Sequence, residues 1–304
     1  MSHLKIECPL HSCILEVGSC CPKCGYQIDL NSRNHLTFRR SLDSGSIYES
    51  YENAYDNLAE DDLCNPIYAE EYQSDLAFET HREIGSVNGF DVAELGVGQG
   101  FLQKAFLLES PKSLNALDIA EDYVENAKKI FENSGNNSTT FQTLVGNVEF
   151  MPFKESFDLV VATDILEHVL NLGNALIRIS RSLRTGGKFA CRVPYKEALG
   201  QYSVYNKQKY EFAHLRFFDE PMLRAQLQEV GLKIIKVYRN GFQPGRFRKV
   251  VPSFMGRNMA KLFSLAGLYG NNWYDFNRHS RTYPLHILRY LHQPLELLVI
   301  SQKV

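Results

Sequence analysis

The segment AELGVGQG at residues 93–100 sets a short apolar run against three glycines at every second position. Gly96, Gly98 and Gly100 allow a tight turn and let a ligand approach bare backbone, as happens where a strand turns into a helix beneath a bound cofactor. The pattern around it repeats. DVAELGV (91–97), LNALDI (114–119), FQTLVG (141–146), FDLVVAT (157–163), GGKFACRVP (186–194), LKIIKVYR (232–239) and LELLVIS (295–301) predict seven strands. Helical patterns fall at 69–84, 121–131, 172–183 and 222–231, the last closed by Gly231. Strands separated by helices predict an α/β fold with a doubly wound, Rossmann-like sheet, each crossover burying one face.

Glycines alone do not distinguish one nucleotide-like ligand from another. Asp118, at the end of the second strand, offers a carboxylate that can accept both hydroxyls of an adenosine ribose. Asn147 and Val148 follow the third strand, suited to an adenine amine and the flat face of its ring. Three such signals at the ends of three successive strands point to an adenosine-bearing cofactor.

Here the sequence resembles the class I S-adenosylmethionine-dependent methyltransferases. AELGVGQG is similar to the first motif of that family, with Glu94 the acidic residue before the glycines. ALDIAEDYVENAKK (116–129) resembles the second-strand motif, and GNVEFMPFKESFDLVVATDILEHV (146–169) matches a more specific pattern. LRTGGKFACRVP (183–194) and HLRFFDEPMLRAQLQEVG (214–231) extend the likeness, which covers roughly 68–239 and returns in the last strand. Asn147 stands where the family most often has Asp, which keeps an acceptor and loses the charge. The resemblance implies a seven-stranded methyltransferase sheet with the last strand antiparallel and inserted between the fifth and sixth. It also implies S-adenosyl-L-methionine as cofactor. Gly96, Gly98, Gly100 and Glu94 would then sit beside its amino-acid part, Asp118 and Ile119 at ribose and adenine, and Asn147 and Val148 along the adenine. Thr163 and Asp164 would lie near the methionine portion.

Methyl transfer needs an acceptor atom held in line, water excluded and a route for the departing proton. Asp164, His168, Tyr195 and His214 are the candidates for that work, with Asp164 and His214 the preferred pair. His168 has an equal reading as a satisfied core histidine, and His214 as a side chain stacked between helix and sheet. Arg216 is expected either to meet an acidic acceptor or to brace Asp219.

Five of the seven cysteines lie between Cys8 and Cys24, an odd and local set unlike a secreted disulfide framework. ECPLHSC (7–13) and CCPKCG (20–25) read as two knuckles of a structural zinc site. Cys8, His11, Cys21 and Cys24 form one set of four ligands, and Cys8, Cys13, Cys21 and Cys24 another. The division that follows is a zinc-ribbon-like module at 1–30, a linker at 31–64 and a methyltransferase domain at 65–304. An insertion at about 240–294, with a helix at 253–270, is expected to cover the substrate or to serve packing and subunit contacts.

The 33 Lys and Arg against 35 Asp and Glu provide no general attraction for polyanions. No apolar stretch approaches a membrane span, and a cytoplasmic setting is the default. The leading reading is an enzyme methylating a hydroxyl or amine of a small molecule such as a sugar or secondary metabolite. A second is an RNA methyltransferase, since the cysteine-rich start is similar in layout to the 23S ribosomal RNA guanine-N1 methyltransferases. PGRFRKVVPSFMGRNMAK (244–261), with Arg246, Arg248, Lys249, Arg257 and Lys261, supplies that reading with a basic patch. A third is a non-catalytic cofactor-binding scaffold. Self-association as a homo-oligomer is compatible with all three.

Overall fold

The structure, a computed structural model, describes residues 4–38, 45–197, 199–202, 211–243 and 293–304. The expected helix at 253–270, the basic patch and most of the 240–294 insertion lie outside the described residues.

Nine strands form one sheet. In chain order they are β1 (Asp29–Leu30), β2 (Leu36–Thr37), β3 (Asp91–Leu95), β4 (Ser113–Asp118), β5 (Thr140–Val145), β6 (Phe157–Thr163), β7 (Leu183–Pro194), β8 (Leu232–Gln243) and β9 (Gln293–Lys303). Their order across the sheet is β1-β2-β5-β4-β3-β6-β7-β9-β8. β3 to β9 are the seven strands expected, with β9 antiparallel to both neighbours and inserted between β7 and β8. β1 and β2 are additional, and bring the count to nine rather than seven.

The helices are α1 (Ile47–Cys64), α2 (Glu70–Ile84), α3 (Phe101–Phe106), α4 (Glu121–Ser134), α5 (Leu172–Ser182) and α6 (Glu220–Glu229). Among the described residues none is long and apolar enough to cross a membrane. Alternate side chains of β6 divide between the two faces of the sheet. Leu159 and Val161 join Ala77 and Ile84 of α2 and Leu102 and Phe106 of α3, whereas Val160 and Ala162 join Leu176 and Ile179 of α5 and Leu223 and Leu227 of α6. Because both faces are covered, the parallel strands read as nearly continuous apolar runs.

The N-terminal cysteine segment is part of this second face. Ile6, Cys8, Leu15, Cys21 and Ile28 share a core cluster with α5, α6 and the sheet. Ile6 bridges Phe153, Tyr26 donates its hydroxyl to the Phe150 carbonyl, and buried Glu7 faces Lys154, Arg178 and Arg181.

Residues 31–64, expected to be a linker, hold β2 and the 18-residue helix α1. β2 lies parallel to β5, pairing Leu36 with Leu144 and Thr37 with Val145, and so covers what would otherwise be an open sheet edge. Phe38 continues it and lays its ring so close to Gly146 that a Cβ there would come within 2.5 Å of the ring. α1 starts at Ser46, whose hydroxyl accepts from the Glu49 N–H at 3.2 Å. Tyr51 and Tyr55, one turn apart, then pack on Phe212 and His168 respectively.

Candidate cofactor site and cysteine centre

The site begins where β3 ends. Parallel strands deliver their C-terminal ends to one side of the sheet, and the first crossover opens a crevice there. Gly96, Gly98 and Gly100 adopt φ of 68°, 50° and 77°, a region that favours glycine. At Gly98 a Cβ would stand in open space, so bare backbone faces the opening. A cavity of about 200 Å³ lies against this turn, walled by Glu94, the three glycines, Thr163, Asp164 and Arg192. Asp62, Ile67, Tyr68, Gln73 and Ala77, from α1, α2 and their connection, close it from above.

Asp118 ties the turn to β4. Its two carboxylate oxygens accept from the Gly98 and Ala120 N–H groups, each at 3.0 Å. Burial pushes its carboxyl up to about 6, although those backbone N–H groups act in the opposite direction. Glu94 is buried as well, with Oε2 unpartnered, and burial together with the charge of Asp118 pushes it up to about 8. Asn147 caps the 3₁₀ turn Val148–Phe150, accepting from the Glu149 N–H at 2.9 Å, and its buried Nδ2 has no partner. Asp118, Ile119, Asn147 and Val148 do not line the cavity itself; they sit behind it at the ends of β4 and β5.

These residues fit S-adenosylmethionine. The unpartnered Oε2 of Glu94 suits an ammonium, and unpartnered Asn147 Nδ2 can donate to a ring nitrogen. Open space at Gly98 admits a ligand against the backbone.

The proton-transfer candidates divide. Asp164 lines the cavity at φ 56° and is held by Arg192, a buried guanidinium that also donates to Thr80 Oγ1 at 3.1 Å. His168 and His214 lie in a separate cluster, with rings edge to face at 4.7 Å. His168 donates from Nδ1 to the Ala213 carbonyl, and burial lowers its imidazole to about 4. The Nδ1 of His214 meets Glu197. Tyr195 does not line the cavity and is flanked by Lys196 and Arg239. Arg216 donates to the carbonyls of Leu166 and Leu170, while Asp219 caps α6, so the expected brace between them is absent.

Residues 93–191 match the methyltransferase domain family. Over those residues the chain carries a methyltransferase domain. No curated protein matches the sequence. Among solved structures, a chain from a complex of the Haloferax volcanii methyltransferase activator Trm112 is 19% identical, with a TM-score of 0.56. The match covers 83% of this chain and 96% of that one. Haemonchus contortus phosphoethanolamine N-methyltransferase 2, bound to S-adenosyl-L-methionine, is 16% identical with a TM-score of 0.52, covering 85% of this chain and 60% of that one. At such identities the likeness is one of fold.

In the methyltransferase domain, Asp62, Tyr68 and Arg192 are wall residues that sequence reasoning passed over. Asp62 accepts from Gln99 Nε2 and from the Tyr123 hydroxyl, both at 2.8 Å, which pins α1 over the glycine turn. The capping pair Ser46 and Glu49 and the tyrosine spacing were the available signals for that helix.

Glu94→Gln should separate binding from stability. A carboxyl whose folded value is raised to about 8 costs nothing below its ordinary range and an increasing amount as pH rises toward 8. The ligand-free variant should therefore melt a few degrees above wild type at pH 8 and equally at pH 4. Its cofactor affinity should fall roughly 10-fold or more, because a charged hydrogen bond is lost. Melts at both pH values with and without cofactor measure this, and unchanged affinity refutes the assignment of Glu94.

The cysteines form two similar turns. Ser12 N–H donates to the Cys8 carbonyl and Gly25 N–H to the Cys21 carbonyl, each at the end of a short antiparallel bridge. Sγ of Cys8 lies 3.8 Å from His11 Nδ1 and 3.6 Å from Cys24 Sγ, and His11 Nδ1 lies 3.7 Å from Cys21 Sγ. Cys8, His11, Cys21 and Cys24 are thus gathered within 4.8 Å of one another, a set that could hold a metal. Cys13 lies 3.3 Å from Cys21, and Cys20 is exposed.

Proposed function

We propose that this enzyme methylates a hydroxyl or amine of a small molecule. The observation that carries the reading is the charge of the cavity. Its charged walls are Asp62, Asp164 and Arg192, two carboxylates against a guanidinium already engaged by Asp164, with the buried carboxyl of Glu94 beside them and α1 and α2 along one side. Such walls disfavour a polyanionic RNA and suit a neutral or cationic acceptor. The likeness to phosphoethanolamine N-methyltransferase 2 supports the same class.

When bound, S-adenosylmethionine supplies the electrophilic methyl group. Glu94 and the glycine turn orient the amino-acid end, Asp118 the ribose, and Asn147 and Val148 the adenine. Tyr68 and Ile67 exclude water. Asp164, its position set by Arg192, is the group placed to orient an acceptor and take its proton, while His214 and His168 stand in a separate cluster. Cys8, His11, Cys21 and Cys24 hold a structural zinc ion in the N-terminal module, the divide at about residue 30 marking a metal-stabilised segment docked on the methyltransferase domain.

The test is transfer of a labelled methyl group to pools of small amines and hydroxy compounds and, separately, to total RNA. Labelling of a small acceptor that falls at least about 10-fold in Asp164→Asn is expected, as removal of a proton-transfer group costs that or more. Salt-sensitive labelling of RNA alone would favour the RNA reading.

A further inference from the structure

The turn after β6 gathers a second set of metal-ligating side chains. One ligand atom from each of Glu167, His168 and His214 lies within 4.8 Å of the other two. Glu167 gives this cluster its meaning. Its side chain is fully buried, and neither carboxylate oxygen has a hydrogen-bond partner. A buried carboxyl left unpaired costs several kcal/mol unless a cation or a proton neutralises it.

The two imidazoles favour the cation. His168 donates from Nδ1 to the Ala213 carbonyl, and His214 donates from Nδ1 to Glu197, whose carboxylate also accepts the Tyr202 hydroxyl at 2.5 Å. With the proton on Nδ1, each ring keeps its lone pair on Nε2. An outer carbonyl or carboxylate that fixes this tautomer is what metal-bound histidines use.

We propose that Glu167, His168 and His214 bind a divalent metal ion of the class that accepts mixed imidazole and carboxylate ligands, such as Mn²⁺. The site differs in chemistry from the thiolate-rich N-terminal set. Two histidines and one carboxylate leave coordination positions for oxygen ligands. Asp164, three residues before Glu167, lines the cavity, and none of the three ligands does. Binding of the ion does not rest on the methyltransferase reading.

The experiment is Mn²⁺ titration of the full chain, followed by the loss of the free-ion electron paramagnetic resonance signal. One Mn²⁺ per chain is expected, with affinity at least 10-fold lower in Glu167→Gln and in His214→Gln. Glu167→Gln removes an unpaired carboxyl, so without metal it should melt at or above the wild-type temperature. His214→Gln provides an independent reading if Glu167→Gln proves unstable. Absence of Mn²⁺ uptake by wild type, or uptake unaltered by both variants, would overturn the proposal. None of these readings uses methyl transfer or cofactor binding, so the two accounts fail separately.

Discussion

Asp118→Ala is expected to weaken S-adenosylmethionine binding by at least about 100-fold, since two charge-assisted hydrogen bonds are each worth about 1.5–3 kcal/mol. The residue does two things. Its carboxylate is the ribose acceptor proposed for this site, and it accepts from the Gly98 and Ala120 N–H groups that shape the turn. Alanine removes both functions, leaving those donors to water. Asparagine keeps the shape and one acceptor oxygen, so Asp118→Asn should lie between, near 10-fold. Isothermal titration calorimetry with a parallel melt reads both. Wild-type affinity in a folded Asp118→Ala protein would mean that the cavity binds its ligand without the end of β4.

Stripping the zinc proposed for the N-terminal turns should destabilise the whole fold rather than release a separate module. The sequence suggested a segment with no core of its own. In the structure Ile6, Cys8, Leu15, Cys21 and Ile28 belong to the core cluster that includes α5, α6 and the sheet, and Glu7 faces three cations on β-sheet connections and α5. β2 and Phe38 follow directly and cap the β5 edge. Loss of the metal would therefore remove a shared wall of the core. Strong chelation, or Cys21→Ser, is expected to lower Tm by roughly 10 °C, the scale of a 3–5 kcal/mol loss in a domain of this size. A single transition should shift as a unit. Two transitions, the later one at the wild-type Tm, would show that the turns unfold independently.

Much of the catalytic architecture was legible because parallel strands buried on both faces leave an unmistakable pattern. FDLVVAT and DVAELGV are apolar runs of strand length, and their alternation with helices gives the sheet. The β1–β2 ribbon was hidden because two-residue strands carry no periodicity. α1 was hidden by polarity: its core-facing residues are Tyr51, Glu52, Ala59 and Asp62, and a helix that buries acids does not present an apolar stripe. Hence Asp62 went unnoticed at the site.

Glu94, the glycines, Thr163 and Asp164 could be placed together because the motif fixes the order of strand ends. Glu167 could not be singled out in the same segment. Sequence shows a glutamate on a turn, and only the packing of residues 211–216 against that turn buries it. The histidine pair illustrates the same limit, since 46 residues of chain separate His168 from a neighbour whose ring is 4.7 Å away.

The most direct test of the account is native mass spectrometry of the purified chain with S-adenosylmethionine, beside the Asp118→Ala variant. One cofactor adduct per wild-type chain, absent from the variant, is the predicted result. A folded wild-type chain that remains free of cofactor at millimolar concentration would contradict the assignment of the cavity.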